Sequence, residues 1–198
     1  MVGIPSGDRI CAITTMCLMA LMVASKNLVT DFQNVRGSYL DHTHNDLVKL
    51  ALADPRVEHL LFIDSDMVFP PDALVRLLAH DKDFVGCTYR KRGSPHDLMW
   101  YPLNDSMSDL ENVTKTDGLR EWRALPSGLI LVRMKVFREI GFPWFFNTYG
   151  ELGADTEFVS TDINLCNEWR MAGGKLFCDL DLSQAIAHLA EVPLTFRV

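Results

Sequence analysis

The sequence has little cationic charge and no cysteine pairing pattern. Its 198 residues carry 19 Lys and Arg against 26 Asp and Glu, a formal net charge of −7, and the pI is about 5.3. Proteins that coat nucleic acid usually present a basic footprint, so this balance argues against that class while leaving room for a local basic channel. The five cysteines (Cys11, Cys17, Cys87, Cys166 and Cys178) are odd in number, scattered, and form no C-x-x-C pair. A disulfide framework or zinc site is therefore not expected, and a reducing compartment fits better. No apolar run reaches the roughly 20 residues of a membrane span. The nearest, Ile10 to Ala24, follows Asp8-Arg9 rather than a basic leader and is read as a fully buried helix, not a signal peptide or anchor. Repeats, low-complexity tracts and linkers are also missing. Asn112-Val113-Thr114 is a formal glycosylation sequon, which means little in a reducing compartment.

What is present is globular composition, 48% hydrophobic, 23% charged and 10% aromatic. At roughly 100–200 residues per domain, one domain is expected, with chain enough to bury a core. Short apolar runs alternate with helical patterns. Val2–Pro5, Leu28–Phe32, His59–Ile63, Phe84–Cys87, Leu129–Val132 and Leu176–Cys178 read as strands. Helices are predicted over 10–26, 41–53 (Leu47, Leu50 and Ala51 inward), 70–79, 135–140 and 161–172. Residues 93–125 read as an irregular, partly β excursion over the sheet edge. Strand–helix alternation of this kind predicts an α/β fold with a mostly parallel mixed central sheet flanked by helices.

The sharpest feature is Leu60-Leu61-Phe62-Ile63-Asp64-Ser65-Asp66-Met67-Val68. A continuous apolar run marks a strand buried on both faces. Asp64 and Asp66, at i and i+2, point the same way on extended chain. Two carboxylates converging at the C-terminal end of such a strand repel unless a cation lies between them, and open α/β sheets bind ligands there. Hard divalent cations take oxygen ligands and bridge to diphosphates. Three readings share the pattern: a solvated turn, a metal-dependent sugar transferase, and a haloacid-dehalogenase-like phosphatase with Asp64 as nucleophile and Asp66 as general acid/base.

The order and spacing of further motifs resemble a small glycosyltransferase of the GT-A fold, family 2-like, with an Asp-x-Asp motif. Val2–Asp8 resembles its first strand and nucleotide-receiving loop. Asp41-His42-Thr43-His44-Asn45-Asp46 stands where that family often has an Arg-Asn pair, with His44 in place of arginine. Asp64-Ser65-Asp66 with Pro70-Pro71-Asp72-Ala73-Leu74 matches the metal motif and its sequel. Val85-Gly86-Cys87-Thr88-Tyr89 and Pro126-Ser127-Gly128-Leu129-Ile130-Leu131-Val132 resemble core strands, the second lying under the donor sugar, and Phe142-Pro143-Trp144-Phe145 follows. Ser160-Thr161-Asp162-Ile163-Asn164-Leu165-Cys166 resembles the Glu-Asp motif that opens a helix and supplies the base, with Thr161 replacing glutamate. Ala172–Asp179 and Ala187-His188-Leu189 resemble the closing segments. The phosphatase reading lacks downstream support of this kind.

The resemblance implies a metal-dependent hexosyl- or pentosyltransferase that uses a nucleoside-diphosphate sugar, UDP-sugar first. Asp162 would be the catalytic base, giving inversion. Asp64, Asp66 and His188 would be metal ligands, with Mn²⁺ favoured over Mg²⁺ because a nitrogen sits beside carboxylates. Donor contacts are expected from Pro5, Ser6, Gly7, Asp8, His44, Asn45, Asp64, Ser65, Asp66 and Gly128. Acceptor contacts are expected from Tyr89, Arg90, Trp144, Asp155 and Thr161, with Glu157 as a further acid and Trp100 and Phe145 as further stacking rings. Residues 1–92 would form the nucleotide-sugar half and 93–198 the acceptor and catalytic half. The acceptor class stays open among glycans, lipids, proteins, small molecules and hydroxymethylated phage DNA; the Arg90-Lys91-Arg92 run permits the last and the net charge disfavours it. A second subunit is one way to complete so short an acceptor half. A non-catalytic nucleotide-sugar-binding module is the third alternative. The expected location is the cytoplasm of a bacterium or phage-infected host.

Overall fold

The computed structural model describes residues 1–93, 97–99, 101–103, 118–152 and 155–190, with backbone alone for 150–152 and 155–157. A seven-stranded sheet forms the centre. Its spatial order is β2 (Phe32–Arg36), β1 (Val2–Ser6), β3 (His59–Ile63), β7 (Leu129–Arg133), β5 (Phe84–Gly86), β10 (Leu176–Asp179) and β6 (Leu119–Trp122). β7 and β6 run against the others, so the sheet is mixed but mostly parallel.

The central strands read as unbroken apolar runs because both of their faces are covered. Leu60, Phe62, Phe84, Ile130 and Val132 point to one side, where α2 (Leu40–Ala53), α4 (Met134–Ile140) and α5 (Thr161–Met171) pack. Leu61, Ile63, Val85, Leu129 and Leu131 point to the other, under α1 (Ala12–Ser25) and α3 (Ala73–Ala79). Each such side chain contributes roughly 1.5–3 kcal/mol on burial. Two short ladders complete the structure: β4 (Met67–Val68) with β11 (Ala187–His188), and β8 (Thr148–Leu152) with β9 (Asp155–Val159). The one-turn helix α6 (Leu180–Ser183) is capped by Asp179, whose carboxylate accepts the Leu182 N–H at 2.7 Å.

Three expectations are corrected. The helix over 10–26 is not buried all round: only Thr14, Leu18, Leu21 and Ser25 of α1 are enclosed. The strand placed at 28–32 lies four residues later. Lys26–Leu28 is a 3-10 turn, and the polar Phe32–Arg36 pairs with β1. This is an edge strand with one neighbour, so it needs no apolar run; Asn34 Nδ2 donates to Ile4 O and Ser6 Oγ, both at 2.8 Å. Leu50 stands 45% exposed, since the buried stripe of α2 runs through Thr43, His44, Leu47, Val48 and Ala51. The described part of 93–125 contains β6 on the sheet edge; 94–96, 100 and 104–117, with Trp100 and the sequon, lie outside the described residues.

Candidate functional site

The β3 strand ends at Ile63, and the chain turns at once. Asp64 N–H donates to Gly128 O at 3.0 Å, and Met67 N–H donates back to Asp64 O at 3.3 Å. Ser65 O accepts the Cys11 N–H at 2.8 Å, fixing the entry to α1 against the same turn. The β4–β11 ladder, which pairs Met67 with His188, and the Leu189 N–H donated to Asp66 O at 2.9 Å bring the tail across it.

These backbone ties place Asp64, Asp66 and His188 together, along with Arg92 from the loop beyond β5. His188 Nε2 lies 3.2 Å from Asp66 Oδ1, and Arg92 Nη1 lies 2.7 Å from Asp66 Oδ2. His188 Nδ1 lies 3.2 Å from Arg90 O, which orients the ring with Nε2 toward the carboxylates. Asp64 Oδ1 is enclosed and has no hydrogen-bond partner. Burial, then the negative charge of Asp66, raises the Asp64 pKa to about 7, with Asp162 adding to the rise and His188 opposing it. Burial also acts to raise Asp66, but the His188 hydrogen bond, its charge and Arg92 outweigh it and hold Asp66 below the ordinary carboxylate value. His188 is shifted upward by its bond to Asp66, against its burial.

Gly128 meets a steric need. A Cβ there would stand 2.2 Å from Tyr89 Oη and 2.9 Å from Asp64 Oδ2. Its N–H donates to Tyr89 Oη at 2.6 Å. Tyr89 is thus buried support beneath the carboxylates, not an exposed acceptor contact, and burial pushes its phenol pKa well up.

A cleft of about 710 Å³ opens in front of Asp64, Ser65 and Asp66, lined also by Pro5–Arg9, Gly37, Ser38, Thr43, Arg92 and His188. Ser6 is pinned by Asn34 Nδ2 and by Gly37 N–H, which donates to Ser6 O at 3.0 Å. Gly7 and Asp8 are exposed on the wall.

Asp162 sits in the first turn of α5. Its Oδ1 accepts from the Ser160 hydroxyl and, at 3.0 Å, from the Ile163 N–H. Ser160 occupies the N-cap, but its hydroxyl turns to Asp162 rather than to the helix backbone. Among the described residues Oδ2 has no partner. The Asp162 charge acts on Asp64, Tyr89 and Tyr101.

Several expected contacts lie elsewhere. His44 is fully buried, its ring 4.5 Å from Phe145 and 5.2 Å from Phe62. Burial lowers its pKa to about 4, so it is a neutral core ring and not a donor contact. Asn45 is buried too: Nδ2 donates to Phe145 O at 2.7 Å, and Oδ1 accepts from Trp144 N–H and Phe145 N–H at 3.1 Å each. It ties α2 to the 144–145 loop instead of reaching the cleft. Asn45→Ala strips partners from three buried groups, and a loss of about 2–4 kcal/mol is expected, measured by urea denaturation.

Trp144 is 6% exposed, with Nε1 donating to Phe137 O at 2.7 Å, and Phe145 is 1% exposed; neither offers a platform. Thr161 is buried. Arg90 is exposed, with its backbone engaged by His188. Asp155 and Glu157 lie on β9, and their side chains are outside the described residues. The sequence reading named Arg92 only within the basic Arg90-Lys91-Arg92 run and passed over Gly37 and Ser38. It also passed over the exposed pair Tyr149 and Phe158, with ring centroids 5.6 Å apart on the hairpin that leads into Asp162. The one available signal was spacing: Tyr149 and Phe158 flank a run holding Glu151, Asp155 and Glu157 before Ser160.

No protein-family model matches the sequence, and no curated protein matches it. Solved structures do. The crystal structure of A197 from STIV superposes with a TM-score of 0.57 at 11% identity, covering 100% of this chain and 98% of that one. That of GalNAc-T7 with UDP, GalNAc and Mn²⁺ gives 0.55 at 11% identity, covering 100% of this chain and 46% of that one. The fold is GT-A. At this identity the likeness speaks for the fold alone.

Among the described residues no group of three or more His, Cys, Asp or Glu side chains is already gathered as a metal site. The donor chemistry nevertheless fits a divalent cation. A buried carboxylate oxygen of Asp64 lacks a partner, the charge of a second carboxylate, Asp66, acts on that group, and an imidazole nitrogen faces Asp66. No helix among the described residues is long and apolar enough to cross a membrane.

Proposed function

We propose that this chain is a metal-dependent glycosyltransferase, family 2-like, that moves a hexosyl or pentosyl group from a nucleoside-diphosphate sugar to an acceptor hydroxyl. One observation carries the reading: the unpartnered Asp64 Oδ1 beside Asp66 and His188, at the strand end that opens on the 710 Å³ cleft. Asp64, Asp66 and His188 would hold the cation, Mn²⁺ before Mg²⁺. Once bound, it supplies positive charge for the diphosphate and its departure.

The chain's own groups do the rest. Residues 1–92 supply the donor half. Pro5, Ser6, Gly7 and Asp8, with Gly37 and Ser38 beside them, form one wall for the nucleotide, UDP being the first choice. Gly128, expected to admit the donor sugar, instead makes room for Tyr89 beneath Asp64 and does not line the cleft. Arg92, already reaching Asp66, is within reach of a bound diphosphate. Residues 93–198 supply the acceptor half. Asp162, its Oδ1 anchored by Ser160 and Ile163, takes the acceptor hydroxyl proton at Oδ2. The acceptor oxygen then bonds to the anomeric carbon as the carbon–oxygen bond to the diphosphate breaks, which inverts the centre. Tyr149 and Phe158 offer an exposed aromatic face for the acceptor. A reducing, cytoplasmic setting suits its free thiols.

The test is a thermal-shift panel of nucleoside-diphosphate sugars with and without Mn²⁺. A donor at about 100 times its Kd should stabilise by about 2.7 kcal/mol, and only with the metal. A panel with no metal-dependent shift refutes the proposal. Transfer then separates an enzyme from a non-catalytic binding module.

A further inference from the structure

The α1 helix is packed inside out. Its enclosed stripe is Thr14, Leu18, Leu21 and Ser25, and the Thr14 and Ser25 hydroxyls are buried without hydrogen-bond partners. Its outer side carries Ile13 (53% exposed), Met16 (66%), Met19 (58%), Met22 (51%) and Val23 (79%), with Leu28 (56%) just beyond. No charged residue occurs in Ala12–Ser25. A helix apolar all round is normally enclosed all round. These side chains leave on the order of 600 Å² of apolar surface uncovered, the top of the range that monomers expose.

We infer that this face is a two-fold interface with a second copy of this chain, the two α1 helices packing antiparallel about Met19. Three observations favour that occupant. First, the strip is self-complementary: a two-fold axis at Met19 sets Met16 against Met22 of the partner subunit, as an isologous contact requires. Second, α1 has no acid in its first turn and no base in its last. An antiparallel neighbour supplies the missing complement to each dipole end. It also brings the exposed Lys26 of one copy to the end of the partner helix where Asp8 is exposed. Third, the patch area approaches the roughly 800 Å² per partner of a standard interface, and α3, which packs on α1, adds Val75 at 40% exposure. A lipid surface fits less well. Interfacial helices carry Lys and Arg on a polar face, α1 has none, and the chain's −7 charge opposes anionic headgroups.

The inference is independent of sugar transfer. Its test is light scattering of the full chain after size exclusion, loaded at about 1–200 μM, since dimer populations follow mass action. The expected mass is twice 22.4 kDa; a monomer throughout overturns the inference. Met19→Glu and Val23→Lys, both at exposed positions, should each weaken the dimer by about 100-fold or more with an unchanged circular dichroism spectrum. Met171→Glu, equally exposed (80%) but on α5, should leave the dimer intact. A Met19→Glu protein that stays dimeric, or a Met171→Glu protein that dissociates, places the interface elsewhere and overturns the inference. So does a monomer that floats with phosphatidylcholine–phosphatidylglycerol vesicles.

Discussion

Asp64→Asn should cost the protein its metal response and, without metal, make it more heat-stable above neutral pH. The carboxyl pKa is about 7 in the fold and near 3.9 in an unfolded chain. Between these values the folded state holds a proton that the unfolded state has released. Stability of the metal-free protein is therefore greatest below about pH 4 as far as this group is concerned. It falls as pH rises toward 7 and stays low beyond. The linked energy is on the order of 2–4 kcal/mol, kept below the full shift because the group borders an open cleft. An asparagine removes that penalty, and for a chain of this size each kcal/mol moves the Tm by roughly 2–4 °C. Calorimetry from pH 5 to pH 8.5 in chelator should show wild type losing more Tm than Asp64→Asn as pH rises, the variant keeping only the smaller fall that comes with deprotonation of His188. Manganese added at pH 8 should stabilise wild type and leave the variant unmoved. A variant that keeps the wild-type metal shift would remove Asp64 from the metal site and with it the central assignment.

Asp162→Asn should separate binding from chemistry. The amide keeps the size of the side chain and an oxygen for the Ser160 hydroxyl and Ile163 N–H, but it cannot accept the acceptor's proton. A positioned general base contributes about 10²–10⁴-fold, so product formation should fall by that factor while donor affinity with manganese changes by less than about 3-fold. Titration calorimetry with the donor found in the panel, alongside a product assay by mass spectrometry, gives both numbers. Equal loss of binding and turnover would make Asp162 a binding residue. Undiminished turnover would move the base elsewhere.

Much of the architecture was legible because apolar runs are hard to misread. His59–Ile63 and Leu129–Val132 could only be strands covered on both faces, and Asp64-Ser65-Asp66 at the end of the first marks the mouth of the sheet. The start of α5 at Thr161 followed from its Ser-Thr-Asp opening. Other features were hidden for physical reasons. Phe32–Arg36 is an edge strand whose polar side chains bond sideways, so its composition resembles a loop. His44 and Asn45 look like ligand-binding residues, but α2 turns both inward, where three hydrogen bonds satisfy Asn45 and two aromatic rings enclose His44. Trp144 was weighed as a platform because composition cannot separate a core ring from an exposed one. Arg92 meets Asp66 across 26 residues of chain, a pairing that no local pattern announces. The motif order of the GT-A resemblance singled out His188 from a tail with weak periodicity; the ladder to Met67 explains how that tail reaches the site.

That ladder also sets a timetable. Asp64 and Asp66 leave the ribosome early, and most of the sheet can pair before residue 180 emerges. The carboxylates gain His188 only when Ala187–His188 arrives and zips onto Met67–Val68. A nascent chain would therefore carry a shaped but immature cleft until Ala187–His188 emerges, poor at retaining metal before that segment closes over it.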